Sequence, residues 1–532
     1  MIGIKNNSIH HHEIEYILVS RNKINMNKNL RYIISCLLLL MSIQPISAQK
    51  SRQLYKEPYR PQIHFTPRAH WMNDPNGMVF SKGVYHLFFQ YYPDSTVWGP
   101  MHWGHATSKD LIHWQEKPIA LYPDSLGYIF SGSVVADKTN TSGFGKKGTV
   151  PLVAVFTHHN MAGEKQKRND FQNQSLAYSN DDGKTWKKYE GNPVLKNPGI
   201  TDFRDPKVMW YEPQKKWIMT LATKDKITFY SSPNLKNWKE ESEFGAQLGA
   251  HGGVWECPDL FTLTDNGKEV WVLTVSLNPG APNGGSGTQY FLGKFDGKNF
   301  TTTQTNTKWI DYGPDNYAGV TWSNTGERKI FLGWMSNWLY ATQVPTMKWR
   351  SAMTLPRTLK LKHVGNDLFI TSTPVLEIAG ISAKPITVNN ISVKRDVDLS
   401  TVVKNISFPC RLNVNFDKQD FAIKIFNKTG EQVLIGYDEK ANNYFIDRTK
   451  AGNINFNAAF AARHTAPRIS NNAVINITLI IDAASVELFA DDGLSNMTEI
   501  FFPSKPFDQI HIQSATRLSL NKLVYQKMVS IN

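Results

Sequence analysis

The chain has few cysteines and, over its last third, no tryptophan. Only three cysteines occur among 532 residues, at Cys36, Cys257 and Cys410, which excludes a scaffold stapled by disulfides. All fifteen tryptophans fall between Trp71 and Trp349, so that residues 350–532 contain none. A change in composition this sharp predicts two domains with different roles.

The sequence also lacks a hydrophobic run long enough to cross a membrane. Its most apolar segment, residues 32–43, has about 12 residues, whereas a helical span needs about 20. Lys28 and Arg31 precede this segment and a small-residue stretch ending at Ala48 follows it. This pattern is typical of a secretory signal peptide, so we expect a protein exported to the periplasm, the cell surface or the medium, without a membrane span.

We assign the signal peptide to residues 26–48, because its charged region normally begins within a few residues of the initiator methionine. Met26 is then the start, and residues 1–25, with their three consecutive histidines, lie upstream of it. Cys36 suggests a lipoprotein as an alternative. Four leucines follow it, where a lipidated cysteine would end the apolar run, which disfavours lipid anchoring but leaves it open.

Positive charge is abundant but not concentrated. The formal net charge of +14 suggests a nucleic-acid partner, yet basic runs such as residues 165–168 (KQKR) are short. No zinc-finger, RRM or helix-turn-helix pattern occurs, so we expect solvated loops and no nucleic-acid partner. Wholesale disorder is excluded because 41% of the residues are hydrophobic and 12% are aromatic.

Short β-branched and aromatic runs between polar turns predict an all-β protein. A turn between a serine and a tryptophan recurs three times, ending at Trp114, Trp186 and Trp238. A β unit repeated at about 50 to 70 residues is typical of a propeller blade, and the available length accommodates about five blades. We expect these three tryptophans to pack between neighbouring blades.

The sequence pattern changes near residue 380. Alternating strands such as residues 421–426 and 474–481 lie between polar turns and contain no tryptophan, which favours a β-sandwich. The predicted architecture is therefore a five-bladed propeller over residues 57–361, a connector over 362–382 and a β-sandwich over 383–532.

Three acidic residues stand in unusual settings. Asp74 lies in WMNDPNG (residues 71–77), Asp205 in FRDPKV (203–208) and Glu256 in GGVWECPDL (252–260). An acid between tryptophan and cysteine in an apolar strand is costly, and burial raises the pKa of a carboxyl group as a general acid requires. Carboxylates among aromatic residues suggest glycoside chemistry, in which one attacks the sugar and another protonates the leaving oxygen.

These segments, taken in order, resemble glycoside hydrolase family 32, the β-fructofuranosidases. The resemblance rests on the three acidic motifs and on residues 130–133 (FSGS), 276–286 (SLNPGAPNGGS), 289–291 (QYF), 333–338 (GWMSNW) and 485–489 (SVELF). It covers nearly the whole mature chain and implies a five-bladed propeller followed by a β-sandwich, in agreement with the repeat.

The resemblance also implies roles for individual residues. Asp74 would be the nucleophile of a retaining mechanism, Glu256 the acid and base, and Asp205 the transition-state stabiliser, with Arg204 keeping Asp205 ionised. The residues implied to line the fructose pocket are Asn73, Gln90, Trp98, Phe130, Ser131, Arg204 and Trp334.

Other chemistry-bearing patterns are weaker. His102 and His105 have a metal-like interval but no third ligand, and the glycine-rich residues 284–287 lack the lysine of a phosphate loop. The sequence therefore predicts neither a metal nor a cofactor. Cys257 is expected to pack and to tune the neighbouring acid rather than to act as a nucleophile.

The leading hypothesis is an exported hydrolase that releases terminal fructose from inulin or levan and also cleaves sucrose. An invertase that acts mainly on sucrose and an endo-levanase are the alternatives within the enzyme class. A non-catalytic fructan-binding protein is the alternative outside it, although such a protein would be expected to lose one of the three acids. The preference between β-2,1 and β-2,6 linkages and the oligomeric state stay open.

Overall fold

A computed structural model describes residues 55–532; the expected signal peptide and Cys36 lie outside the described residues. Within this range strands dominate. Helical structure is limited to one short α-helix, α1 (Met161–Lys165), and to 3-10 turns at Glu212–Gln214, Leu376–Ile381 and Leu399–Thr401. No helix in the described part of the chain is both long enough and apolar enough to cross a membrane.

The first five sheets follow one another along the chain as antiparallel blades. Blade 1 contains β1 (His70–Ser81), β2 (Val84–Tyr92), β3 (His102–Ser108) and β4 (Gln115–Leu121). Blade 2 contains β5 (Tyr128–Ala136), β6 (Leu152–His159), β7 (Gln172–Ser179) and β8 (Lys187–Lys188). Blade 3 contains β9 (Phe203–Tyr211), β10 (Lys216–Thr223), β11 (Lys226–Ser232) and β12 (Lys239–Phe244).

Two further blades complete the propeller. Blade 4 contains β13 (Val254–Asp265), β14 (Lys268–Asn278), β15 (Gly287–Phe295), β16 (Phe300–Thr301) and β17 (Lys308–Trp309). Blade 5 contains β18 (Tyr317–Thr321), β19 (Ile330–Met335), β21 (Ala352–Met353), β22 (Arg357–Val364) and β23 (Asp367–Pro374), while β20 (Trp349–Arg350) pairs in parallel with β1 of blade 1. The sheet of blade 5 thus continues to Pro374, beyond the boundary at residue 361 that the sequence predicts.

The first strand of every blade faces the propeller axis. Strands β1, β5, β9, β13 and β18 each contact the next, and β18 contacts β1, so the five inner strands form a closed ring. We call this set the inner ring. Because these strands run in the same order and sense, residues near their starts meet at one end of the ring and residues near their ends meet at the other.

The serine-to-tryptophan repeat builds the turn between the third and fourth strands of blades 1 to 3. In each copy the indole nitrogen donates a hydrogen bond to the backbone carbonyl three residues earlier, within the turn. Trp114 stacks on Trp322 of blade 5 at 6.1 Å, and Trp186 meets Phe88 of blade 1 edge-on at 5.5 Å. These two tryptophans therefore pack between neighbouring blades.

The remaining residues form two six-stranded sheets that share one core. One sheet contains β24 (Ile386–Val393), β35 (Leu518–Lys527), β26 (Cys410–Asp417), β31 (Val474–Ile481), β32 (Ser485–Ala490) and β33 (Ser495–Ile500). The other contains β25 (Asp396–Asp398), β34 (Gln509–Gln513), β27 (Phe421–Phe426), β28 (Gln432–Asp438), β29 (Asn443–Lys450) and β30 (Arg463–Pro467). The fold predicted from the sequence, a five-bladed propeller followed by a β-sandwich, is confirmed.

Buried ion pairs join the two domains. The guanidinium of Arg357, in blade 5, contacts Asp311 at 2.7 Å and also binds Glu487 of the sandwich. His64, which precedes blade 1, bonds to the same Glu487 at 2.9 Å and to Asp482 at 2.7 Å. All of these side chains are almost fully buried, and because an unpaired buried charge is costly, each domain depends on the other.

Candidate active site

A cavity of about 210 Å³ opens at the end of the inner ring where its strands begin. Nine of the ten residues predicted for the site line this cavity: Asn73, Asp74, Gln90, Trp98, Phe130, Ser131, Arg204, Asp205 and Glu256. Five lining residues were not predicted: His159, Glu164, Gln172, Asp202 and Trp338. The three acids come from β1, β9 and β13, three strands of the ring, which explains how distant motifs meet.

Asp74 is held on both oxygens. The register between β1 and β2 shifts between Met72 and Pro75, and at this irregularity Asp74 enters the cavity. Asn73 Nδ2 donates to Asp74 Oδ1 at 2.9 Å, and Ser131 Oγ donates to Asp74 Oδ2 at 2.8 Å. Burial, and then the nearby charge of Glu256, raise the pKa of Asp74. The carboxyl group is therefore fixed in orientation at the floor of the site.

Asp205 is more deeply buried, with 6% of its surface exposed. Its backbone has a φ of 65°, a left-handed conformation that is uncommon outside glycine, although aspartate and asparagine adopt it more readily than most residues. The backbone amide of Cys257 donates to Asp205 Oδ2 at 3.0 Å. Burial raises the pKa of Asp205 to about 7, and Glu256 and Asp74 add to this rise against the opposing charge of Arg204.

Glu256 is bound by two donors. Arg204 Nη2 and Nε lie 2.8 and 3.2 Å from Glu256 Oε1, and the hydroxyl of Tyr317 donates to Glu256 Oε2. Arg204 also binds Asp202. The hydrogen bonds of Arg204 thus go to Glu256 and Asp202, while its positive charge acts against the rise in the pKa of its sequence neighbour Asp205.

Cys257 lies between two of the acids. Its Sγ is 3.5 Å from Asp74 Oδ2 and 3.6 Å from Asp205 Oδ2. Burial, followed by the charge of Asp205, raises the pKa of this thiol well above its ordinary value. The group is thus a neutral thiol that donates weakly to carboxylates, and it lacks the thiolate character that a cysteine nucleophile needs.

Trp334 does not line the cavity, contrary to expectation. It is fully buried and packs against Trp71, Tyr317 and Trp338, with ring centroids 4.9 Å from those of Trp338. Every residue of β19 is buried, and Trp334 belongs to that strand. Trp338 lies in the loop that follows, at the open end of the ring, and its indole forms the wall. Both tryptophans lie in the same GWMSNW segment, and the sequence alone does not show which one faces the cavity.

Three of the residues that were not predicted form a chain of hydrogen bonds along one wall of the cavity. The backbone N–H of Phe203 donates to Gln172 Oε1 at 2.8 Å, so Gln172 presents its amino group to His159 Nδ1 at 3.2 Å. Burial lowers the pKa of His159 to about 4, so the ring is neutral and its Nε2 carries the proton that Glu164 accepts at 3.1 Å. Glu164, on α1, is therefore oriented at the rim.

The described residues contain no group of three or more histidine, cysteine or acidic side chains placed to hold a metal ion. His102 and His105 have other partners. His102 Nδ1 bonds to the carbonyl of Pro100 at 2.9 Å, and His105 bonds to His86 at 3.1 Å and stacks on Phe88.

Comparison with known proteins agrees with this arrangement. Residues 64–372 match the model of the glycosyl hydrolases family 32 N-terminal domain, and residues 378–527 match that of the family 32 C terminal domain. A levanase of Bacillus subtilis (strain 168) is 46% identical over 497 residues, which covers 91% of this chain and 72% of the levanase.

Two fungal proteins are also similar. An extracellular exo-inulinase of Aspergillus niger is 40% identical over 494 residues, which covers 86% of this chain and 91% of that protein. The crystal structure of the exo-inulinase from Aspergillus awamori superimposes with a TM-score of 0.82 at 37% identity, and the match covers 90% of this chain and all of that one. The chain therefore belongs to glycoside hydrolase family 32.

Proposed function

We propose that this glycosidase releases terminal β-D-fructose from fructans, with retention of configuration and through a covalent fructosyl–enzyme intermediate. The observation that carries the proposal is the convergence of Asp74, Asp205 and Glu256 from three inner strands on one small cavity. The relatives named levanase and exo-inulinase support fructan as the substrate class. The signal-like residues 26–48 support export, which an enzyme acting on polymers requires.

In the first step, a carboxylate oxygen of Asp74 attacks the anomeric carbon of the terminal fructose. The new carbon–oxygen bond forms as the glycosidic bond breaks, and the proton of the Glu256 carboxyl group passes to the departing oxygen. Asn73 and Ser131 hold Asp74 in position. Arg204 and Tyr317 touch Glu256 and stabilise the negative charge that proton transfer leaves on it.

In the second step, water replaces the departed sugar. Glu256 removes a proton from the water, whose oxygen attacks the anomeric carbon and displaces Asp74. Asp205 supports both steps. Its carboxylate accepts hydrogen bonds from fructose hydroxyls, and its negative charge stabilises the positive charge of the oxocarbenium-like transition state. The amide of Cys257 fixes that carboxylate. The developing positive charge favours the ionised form of Asp205.

The cavity dimensions favour attack at chain ends. A volume of about 210 Å³ is below the roughly 300–1,000 Å³ of pockets that enclose larger ligands, so it suits one sugar unit. Trp98, Phe130 and Trp338 supply aromatic walls. Gln90 lines the cavity, and its buried amino group has no hydrogen-bond partner among the described residues, so a fructose hydroxyl that reaches it would accept a hydrogen bond.

Product analysis tests the proposal. The protein is incubated with inulin, levan and sucrose, and the products are separated by chromatography. Free fructose as the sole early product from a polymer is expected, with sucrose also cleaved. A ladder of oligosaccharides would establish endo action, and cleavage of sucrose alone would establish an invertase. No release from any of the three would overturn the enzymatic proposal.

A further inference from the structure

A second and larger cavity, of about 610 Å³, opens at the opposite end of the inner ring. The strands that carry the acids reach it further along: β9 contributes Asp205 to the first cavity and Trp210 to the second, and β13 contributes Glu256 to the first and Asp259 to the second. We call this second space the far cavity. No residue of the proposed mechanism lines it.

A polar layer forms the floor of the far cavity. Lys207 Nζ donates to Asp259 Oδ2 at 3.0 Å and to the carbonyl of Thr321 at 2.6 Å. The backbone N–H and the hydroxyl of Thr321 donate to the same Asp259 oxygen at 2.6 and 2.8 Å. These contacts join blades 3, 4 and 5, so the polar groups at the floor are held in place.

One oxygen of that floor has no partner. Asp259 is fully buried, and its Oδ1 receives no hydrogen bond from any described residue. A buried carboxylate oxygen without a donor is costly, and Asp259 lines the far cavity. Lys329 also faces this space, where burial lowers the pKa of its ammonium group and the charge of Asp259 opposes that change.

The charges around the far cavity balance. Its cationic lining residues are Lys138, Lys207 and Lys329, and its acidic ones are Glu212, Asp259 and Glu269. A site with equal numbers of each sign does not select an anion or a cation, but it offers both donors and acceptors to a neutral ligand. Such a ligand must carry several hydroxyl groups to use them.

The walls are aromatic. Trp210, Tyr211 and Trp271 line the far cavity, with Trp210 half-buried and therefore accessible. Flat aromatic faces pack against the apolar faces of sugar rings, and the half-buried Trp210 offers such a face, whereas Tyr211 and Trp271 are each 8% exposed. The volume of about 610 Å³ lies within the range of ligand-binding pockets and exceeds that of the first cavity, so more than one sugar unit fits.

We propose that the far cavity is a second carbohydrate-binding site, which takes a neutral segment of a fructan chain. The identity of the sugar rests on the function proposed above, whereas the existence of the site rests on the cavity alone. A second point of attachment raises the effective concentration of polymer ends near the active site. It therefore acts on polymers and leaves sucrose turnover unchanged.

Isothermal titration calorimetry tests this proposal. The full chain carrying Asp74→Asn, which is expected to bind substrate without turning it over, is titrated with short inulin oligosaccharides, and two binding events per chain are expected. Adding Trp210→Ala should lower the affinity of one of the two binding events by about tenfold or more, the equivalent of about 1.4 kcal/mol. The matched control is Trp309→Ala, a half-buried tryptophan that lines neither cavity.

Activity measurements separate binding from folding. With Asp74 intact, Trp210→Ala should keep its sucrose turnover within about twofold and raise KM for inulin polymer several-fold. Sucrose turnover also reports whether the variant is folded, and Glu269→Gln, an exposed change at the rim, provides a milder second variant.

Several outcomes would overturn the second site. One is a single binding event in Asp74→Asn. Another is two binding events that persist in both Trp210→Ala and Glu269→Gln. A third is displacement of the oligosaccharide from the second site by sodium phosphate at the same concentration as the oligosaccharide. Binding that depends on Trp210 in a protein without any turnover would refute the proposed function alone. Turnover with one binding event would refute this inference alone.

Discussion

The hydroxyl of Tyr317 donates a hydrogen bond to Oε2 of Glu256, across the boundary between blades 5 and 4. Tyr317 is the first residue of β18 and is 1% exposed, with its ring packed against Trp334. The fifth blade contributes no acid to the site, yet through this contact it determines where the proposed acid and base stands.

Replacing Tyr317 by phenylalanine keeps the packing and removes the hydrogen bond. Bonds to charged groups contribute about 1.5–3 kcal/mol, so we expect kcat/KM for sucrose to fall by about 10- to 100-fold. An aryl fructoside, whose leaving group needs little protonation, should lose less. Equal losses on the two substrates would show that Tyr317 does not act through Glu256.

Asp74→Asn should remove the proposed nucleophile and leave the fold intact. Asn73 and Ser131 retain a side chain of the same shape to contact. We expect kcat to fall by about 10⁴-fold or more, with an unchanged thermal unfolding midpoint. Asp508→Asn, at an exposed position of the sandwich, is the matched control and should be fully active. Turnover near that of the unmodified enzyme would remove Asp74 from its role.

Glu164 is expected to bind the sugar that leaves rather than the fructose that is transferred. It lies at the rim, is oriented by the proton on His159 Nε2 and has a half-exposed side chain. Glu164→Gln should raise KM for inulin oligosaccharides by about three- to tenfold, since one hydrogen bond contributes about 0.5–1.5 kcal/mol, and leave kcat nearly constant. Glu190→Gln, an exposed change elsewhere in blade 2, should change neither constant. A fall in kcat at constant KM would contradict this placement.

We expect His64 to make the folded state less stable as the pH becomes alkaline. Burial alone would lower the pKa of His64, but its hydrogen bonds to Asp482 and Glu487 and their charges outweigh it and raise the pKa to about 9. Because the folded pKa exceeds the unfolded value of about 6.5, the stabilisation is complete below about pH 6.5 and is lost as pH rises through about 9.

The thermal unfolding midpoint should therefore decline between about pH 6.5 and 9, by an amount that corresponds to about 3 kcal/mol in the free energy of unfolding. His64→Gln should lower stability at neutral pH and flatten this decline. His113→Gln alters an exposed histidine and should leave the profile unchanged. A decline of the same size in His64→Gln would assign the pH dependence to other groups.

The propeller was predictable because its repeat is local. Each copy of the serine-to-tryptophan turn closes on itself through bonds between residues a few positions apart, so it leaves a readable trace in the sequence. The same holds for Asp74, Asp205 and Glu256, since each lies at a distorted strand start with its own short motif.

What the sequence did not reveal depends on contacts between distant strands. The partner of Arg204 is set by the left-handed backbone at Asp205 and by the neighbouring blade, not by adjacency in the chain. Tyr317, His159 and Trp338 reach the site because the ring brings together strands far apart in sequence. Which of two tryptophans faces a cavity depends on where β19 ends, a position that composition does not specify.

The buried pairs around Arg357 have a consequence for making hybrid enzymes. Arg357 of blade 5 carries a guanidinium whose counter-charges stand in both domains, and Leu355 donates its backbone N–H to Glu487 of the sandwich. A cut at residue 375 would leave Arg357 short of one carboxylate and Glu487 without Arg357 and His64, the two basic side chains that bind it. A hybrid enzyme that takes its propeller from a relative should therefore take the sandwich from the same relative, so that the buried pairs stay matched.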